Sequence, residues 1–379
     1  MEVLSLLAGF LLGILFGIVP GLHPNLAFSI MVAYGISARD PLSFLAGFLP
    51  ANAMFDALPS VLVGAPEGGK GISAFESKML FSRGMGYYGV LKTAWASFLG
   101  FSLSGLLFIP AMHAIPWAYR AVSGWIPFII LAVATINIAP ELPDSLVLFA
   151  LSGMLGFAVL NSAHSSQLIL GPLLTGLFGM PQMLLSFGSK HVKQTKQFPL
   201  EDNFRGIKRA AMLGIFSSLL PALGASQLMF LAAPSTSDFI SFSSSLAASS
   251  TMFSILTLEE TGKARTGAAA FLSGYAFAPG DAIRFFMLSI MASAASMLII
   301  TSVAWEAAKI AGRASAVLNL ASIFAIVLIS ALTTGMHGIL VLTASSALGV
   351  YAALGSTRKT HLLGCLIYPT IIIYISRLI

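Results

Sequence analysis

Charge is what this chain has least of. Only 9% of its 379 residues are Asp, Glu, Lys or Arg, against ~25% in an ordinary soluble domain. So little charge excludes a water-facing globular domain. The single cysteine, Cys365, excludes an intrachain disulfide framework and a thiolate metal site. No His-Glu-x-x-His occurs, and His164-Ser165 lacks a Gly-x-Ser context, so zinc proteolysis and serine-hydrolase chemistry lack their motifs. Pro279-Gly280-Asp281 superficially resembles the Gly-x-Gly-Asp of intramembrane aspartyl proteases, but Ala278 precedes it. An enzyme is therefore the least favoured class, with no catalytic residue, metal or cofactor expected. Net charge is +6, yet the basic residues gather in loops, densest at Lys190, Lys193, Lys196, Arg205, Lys208 and Arg209. That distribution marks a cytoplasmic linker rather than a nucleic-acid footprint. Segment 3–19 follows no basic run and shows no clear small-residue cleavage site, so it reads as a retained first helix.

What fills the chain is apolar. Hydrophobic residues make up 57% and mean hydropathy is +0.91. Apolar runs of spanning length recur at about 87–111, 125–139 with 144–161, 166–187, 210–233, 282–303, 316–334, 337–354 and 360–377. At ~20 residues per crossing they predict roughly 10–12 membrane segments, including re-entrant pieces. The fold class is an all-α polytopic protein of the cytoplasmic membrane, surrounded by membrane lipids.

The chain also reads as two versions of one design. Leu12-Gly13-Ile14 runs into Pro20-Gly21-Leu22-His23-Pro24-Asn25, and Leu213-Gly214-Ile215 runs into Pro221-Ala222-Leu223-Gly224-Ala225-Ser226-Gln227, an offset of 201. Glu67-Gly68-Gly69-Lys70 aligns with Glu260-Thr261-Gly262-Lys263, Gly156 with Gly349, and Leu170-Gly171 with Leu363-Gly364, all at 193. Gly86 aligns with Gly280 at 194. The expected organisation is a first repeat at 1–187, a polar linker at 188–205 and a second repeat at 206–379. Orientation depends on an odd or even number of crossings per half; inverted repeats are the expectation.

A helix broken at membrane depth exposes backbone groups that lipid cannot satisfy, so it survives where it lines a cavity or meets a ligand. Pro20, Gly21, His23 and Asn25 are therefore candidate binding residues, with Pro221, Gly224, Ser226 and Gln227 in the second break. A half-helix beginning at Pro24-Asn25 would aim free N–H groups and a partial positive charge at an anion. A Pro-kinked helix or a surface loop would explain either motif alone. The run from Pro50 to Gly68 mixes prolines and glycines with Asn52 and Asp56, four apart and on one helical face. It suggests a hairpin at 52–67 in which Asp56 faces protein, water, a coupling Na⁺ or a proton. Its headgroup-level alternative stays open. Residues 241–251 hold six serines and Thr251. Ser249, Ser250 and Thr251 could supply oxygen ligands in a second hairpin at 249–262, or simply glue helices together. Asp56 falls on Ser254 by alignment, so the halves differ. Asn137, Glu141 and Asp144 read as an exposed turn, Asn161, His164, Ser165 and Gln167 as a loop, and Arg284, Glu306 and Arg313 as helix ends. Ser73–Gly86 reads as an amphipathic segment along the interface.

The motif Phe55-Asp56-Ala57-Leu58-Pro59-Ser60, followed by Gly64-Ala65-Pro66-Glu67 and preceded by the Pro20–Asn25 break, resembles the archaeal branch of the TctA family. So does Arg358-Lys359-Thr360-His361-Leu362-Leu363-Gly364-Cys365-Leu366-Ile367-Tyr368-Pro369 near the end. That family comprises the large membrane subunits of tripartite tricarboxylate transporters. The resemblance implies an ion-coupled carrier of small organic anions, working with a small membrane subunit and an extracytoplasmic binding protein. This chain departs from the pattern at Pro221-Ala222 and at Glu259-Glu260-Thr261-Gly262, where Pro-Gly is expected. Secondary transport of an anionic solute leads; a carrier of a lipid-linked phosphate is the alternative, disfavoured because only His23 lies near the breaks as a basic group.

Overall fold

The computed structural model describes residues 2–19, 24–33, 38–62, 73–162, 166–185, 192–196, 204–220, 228 and 238–376. Among these there is no strand. The first helices are α1 (Glu2–Ile18), α2 (Pro24–Ala33), α3 (Pro41–Phe55) and α4 (Ala57–Leu62). Next come α5 (Ser73–Ser82), α6 (Gly86–Leu106), α7 (Phe108–Val122), α8 (Ile126–Ile138) and α9 (Asp144–Leu160). α10 (Ser166–Leu174) passes through a π-helical turn, Thr175–Gly179, into α11 (Met180–Leu185). Beyond the linker lie α12 (Phe204–Leu219), α13 (Phe239–Thr261), the short α14 (Gly267–Phe271), α15 (Asp281–Leu354) and α16 (Gly364–Ser376).

Seven helical stretches among the described residues are long and apolar enough to cross a membrane, and α1 and α9 are shorter apolar helices. Two of the seven, Asp281–Ala311 and Asn319–Leu354, lie within α15. Glu306, paired with Lys309 at 2.7 Å, and Arg313 sit where the first gives way to the second, although the helical backbone continues through them. Arg284 stands in the first turn of α15. The outer surface is apolar: Leu4, Leu7, Leu11 and Leu15 of α1, with Trp117, Trp125 and Phe324, are exposed. Many serines, by contrast, are buried. This reversal of the soluble pattern is what a hydrocarbon surrounding requires. The protein is a multi-pass membrane protein.

Glycine lets α1 lie directly on α3. A methyl group added at Gly9, Gly13 or Gly17 would strike the backbone oxygens of Phe44, Phe48 and Asn52, and one at Gly47 would strike that of Leu6. Where apolar surface gains nothing by leaving lipid, such backbone approach is the main source of packing energy. The α12–α13 pair repeats the arrangement. Gly214 lies against Ser249 as Gly13 lies against Ala51, and Ser245 donates its hydroxyl to the Ile207 carbonyl at 3.0 Å. α13 then packs on α6, while α3 packs on α15. α6 and the first span of α15 run antiparallel: Gly105 meets Ile290 at one end, and the Tyr87 and Trp305 rings stand 5.9 Å apart, edge on, at the other. Farther along, α9 packs on α16 and the second span of α15 packs on α10 and α11.

The two sequence halves therefore interleave. One core joins Phe44, Phe48 and Phe101 to Phe253, Phe285 and Phe286; the other joins Ile126, Ile130 and Leu173 to Val341, Leu362 and Cys365. The linker takes part as well. Gln194 is buried, its side-chain oxygen accepts the Gly86 N–H at 2.9 Å, and this caps α6.

Two surface expectations change. α5 does not lie along the interface: Glu76 and Ser77 are buried, and Glu76 is ion-paired inside the bundle. Nor are Asn137 and Glu141 an exposed turn. Asn137 is buried and donates to the Val133 carbonyl at 2.9 Å, while Glu141 is bound to Arg358 and His361. Glu76 and Glu141 each meet a partner distant in sequence that neutralises the charge, so burial costs far less than it would alone. Asp144 is exposed as expected.

Candidate functional site

α3 and α4 together make one buried spanning unit, Pro41–Leu62. Asp40 caps it, accepting the Ser43 N–H at 3.1 Å, and Pro41 takes the first helical position. The unit is interrupted at Asp56. Pro59 supplies the cause: it has no N–H for the Phe55 carbonyl four residues back, and its ring crowds that carbonyl. Asn52, Asp56 and Ser60 follow at four-residue spacing, 3%, 7% and 5% exposed. Ser60 donates its hydroxyl to the Asp56 carboxylate at 3.0 Å, and the Asp56 N–H bonds the Asn52 carbonyl at 2.9 Å. A carboxylate, an amide, a hydroxyl and a released backbone carbonyl thus share one stretch of buried helix.

The end of α1 closes on this stretch. A Cβ at Gly17 would lie 2.8 Å from the Asn52 oxygen and 3.1 Å from the Asp56 nitrogen. α1 ends one residue beyond Gly17, at Ile18, and α2 begins at Pro24. Asp56 is therefore beside the approach to the first break. Pro20, Gly21 and His23 lie outside the described residues. Asn25 is the second residue of α2, whose N-terminus faces back toward the break. Ten residues long, α2 carries Pro24 at its first position.

In the second half the approach is α12, and the polar contacts there are hydroxyl pairs. Ser250 donates to Ser217 at 3.0 Å, and the Ser218 and Thr257 hydroxyls are 2.9 Å apart. Ser249 and Thr251 turn back onto their own helix, at the Leu246 and Ala247 carbonyls. Ser250 therefore reaches across to α12, the helix that leads toward residues 221–227. Pro221, Gly224, Ser226 and Gln227 lie outside the described residues. Residues 249–262 form the second half of continuous α13 and its left-handed cap at Gly262 (φ +65°), and 52–62 are helical on either side of the single turn residue Asp56; 63–67 are outside the described residues.

Three ion clusters join residues that sequence spacing does not connect. Lys92 of α6 bonds Glu76 at 3.0 Å and Asp238, just before α13, at 3.2 Å. Arg284 reaches Glu2 at 2.8 Å, Asp281 at 3.1 Å and Asp40 at 3.4 Å, and Tyr275 donates to Asp281 at 3.0 Å. Burial and that bond to a carboxylate raise the Tyr275 phenol above its ordinary range. Glu141 accepts the Arg358 N–H at 2.8 Å and lies 2.9 Å from the buried His361 ring. The signal that points to two of them is the repeated Asp-x-x-Ser at Asp40–Ser43 and Asp238–Ser241, each opening a helix. No group of three metal-ligating side chains forms among the described residues.

Comparison with known proteins supplies the context. The profile of the tripartite tricarboxylate transporter TctA family matches residues 3–364. An uncharacterized protein of Methanocaldococcus jannaschii is 28% identical over 259 residues, a match covering 64% of this chain and 64% of that relative. The match thus spans less than two thirds of that protein's length. No solved structure matches.

Proposed function

Because the chain belongs to the tripartite tricarboxylate transporter TctA family, we propose that it is a permease of secondary active transport. Its solute is a small organic anion of the carboxylate class, moved across the cytoplasmic membrane with a Na⁺ or H⁺ gradient. One observation carries this reading: a buried aspartate sits at the interruption of a spanning helix, packed against the end of α1 where the first break begins. An ionisable group in that position is costly unless it has work to do.

The arrangement divides the labour. The start of α2 offers N–H groups and the positive end of its dipole to an anion. Asn52, Asp56, Ser60 and the carbonyl released by Pro59 offer oxygen to a cation or a proton. Neutralising Asp56 with the coupling ion lets the anion approach. In the second half, Ser250 reaches α12, the helix that leads toward residues 221–227, which lie outside the described residues. A small membrane subunit and an extracytoplasmic binding protein are the partners of such a permease. Purified protein in proteoliposomes should accumulate a carboxylate only when a Na⁺ or pH gradient is imposed. An absence of gradient-dependent uptake across a carboxylate panel would sink the proposal.

A second reading has one observation in its favour. A cavity of about 560 Å³ lies between α1, α2 and α3, lined by Leu12, Phe16, Ala27, Met31, Phe44 and Phe48, with exposed Arg39 also lining it. A hydrocarbon chain with an anionic head would suit that lining, which is the chemistry of a lipid-linked phosphate. Movement of a fluorescent polyisoprenyl phosphate between leaflets, without accumulation of any water-soluble carboxylate, would favour this reading over the first.

A further inference from the structure

Two of the ion clusters follow one plan. Asp40 stands before α3 and accepts the Ser43 hydroxyl at 2.7 Å; Asp238, 198 positions on, stands before α13 and is hydrogen-bonded by Ser241. Each aspartate is then paired with a cation from the other sequence half. Asp40 meets Arg284 at 3.4 Å, and Asp238 meets Lys92 at 3.2 Å. The two cations lie on matching helices, six positions after Gly86 in α6 and four after its counterpart Gly280 at the start of α15.

The clusters stand at opposite ends of the bundle. α13 follows Asp238, beside Glu76 and Lys92, and at its far end the chain leads through α14 to Asp281 and Arg284. Its 23 residues span about 35 Å, close to the thickness of a bilayer's hydrocarbon core. The antiparallel run of α6 against α15 says the same: the Lys92 end of α6 lies beside the late part of the first α15 span, away from Arg284.

When its pair parts, each aspartate keeps the bond from its serine, while Asp238 Oδ1 gives up its ion-pair partner, Lys92. Each aspartate sits at a helix N-terminus, where the dipole and the following serine stabilise it when the cation leaves. Glu76 keeps the Ile240 N–H at 2.9 Å. A buried ion pair without such support would be far harder to open.

We infer that Lys92–Asp238 and Arg284–Asp40 are a matched pair of latches joining the two halves at opposite membrane faces, one parting at a time as the solute path opens to that face. This rests on the two-half transport reading. The Arg284 latch is the wetter, with side chains 28% and 13% exposed against 8% and 10% for the Lys92 latch, so its face opens more readily.

The test uses cysteine reporters in full-length protein carrying Cys365→Ser. Leu42→Cys places a buried reporter beside Asp40, and Ile240→Cys one beside Asp238. Sealed vesicles of both orientations are treated with a membrane-impermeant maleimide. Lys92→Met should raise labelling at 240 about tenfold or more, from one face only, without raising it at 42. Arg284→Met should do the converse from the other face, and the parent protein should label faster at 42 than at 240. Asp238→Asn and Asp40→Asn should reproduce the two patterns if the methionine variants fail to fold. Lys92→Arg and Arg284→Lys should stay near the parent rate. Labelling of both reporters from the same face, or a rise at both on loss of one latch, overturns the inference. Uptake measured in parallel separates the two ideas. Reciprocal labelling without uptake rejects transport and keeps the latches; uptake without reciprocity rejects the latches alone.

Discussion

Gly17 lies against the backbone of Asp56 so closely that a Cβ on the glycine would stand 3.1 Å from the aspartate nitrogen. This contact ties the last turn of α1 to the interruption of the Pro41–Leu62 span.

The contact makes Gly17 intolerant of even a methyl group. Gly17→Ala should destabilise the protein by about 1–3 kcal/mol, the usual cost of overpacking, read as a lower midpoint of thermal unfolding in detergent. Gly124→Ala is the control, because a methyl group there would meet nothing within 4 Å. Equal behaviour of the two variants would mean α1 is not held on α3 as described.

Asp56→Asn keeps the shape and still accepts the Ser60 hydroxyl, so folding should survive. Coupling should not. In proteoliposomes the variant should lose gradient-driven accumulation while retaining the parent's melting behaviour. Undiminished accumulation would remove Asp56 from the ion site.

The Ser152 hydroxyl stands 3.1 Å from the His361 carbonyl and 3.0 Å from the Phe149 carbonyl of its own helix, and the Ser345 hydroxyl, 193 positions on, stands 3.3 Å from the Pro172 carbonyl and 2.6 Å from the Val341 carbonyl of its own helix. Each joins a helix of one half to a helix of the other. Ser152→Ala and Ser345→Ala should each cost about 0.5–1.5 kcal/mol. Their effects should add in the double variant, since the two bonds share no partner. Unfolding midpoints of the four proteins provide the check. A large cost for one and none for the other would show that the halves are not held alike.

Glu141 gathers the Arg358 N–H and the His361 ring, and the nearby Cys365 is fully buried. Glu141→Gln should loosen this end by about 1–3 kcal/mol, the cost of leaving buried donors badly paired. The native thiol is the reporter: Cys365 should be inert to maleimide in the parent and react measurably faster in the variant. No change in thiol reactivity would make the cluster a surface ornament.

The helical architecture is largely legible in the chain, because hydropathy and run length answer to the bilayer alone. Near the first motif the described ends agree with the local signal: α1 ends at Ile18 and α2 begins at Pro24, and residues 20–23 lie outside the described residues. Asp56 can be named from the sequence, but the course of the chain around it cannot: the prolines and glycines suggest a hairpin at 52–67, whereas 52–62 are helical apart from the single turn residue Asp56. The serine tract cannot be resolved in this way. Ser249 and Thr251 satisfy themselves on their own helix while Ser250 reaches Ser217, and nothing in the local spacing distinguishes them. Local pattern also puts Glu76 and Glu141 at the surface, because their partners Lys92, Ile240, Arg358 and His361 lie up to 220 positions away.

By itself, then, the sequence determined that this is a polytopic helical membrane protein, with an apolar run interrupted by proline at Pro20–Asn25 and a similar run at Pro221–Gln227. Those properties follow from composition, period and proline, which act over a few residues. Only the tertiary structure decided that the halves interleave, that α6 runs antiparallel to the start of α15, and that the few charges meet across the line between the halves. Such pairings arise because a charge in a low-dielectric interior must find an opposite charge or a helix end wherever the fold brings one, and no local rule says where that will be.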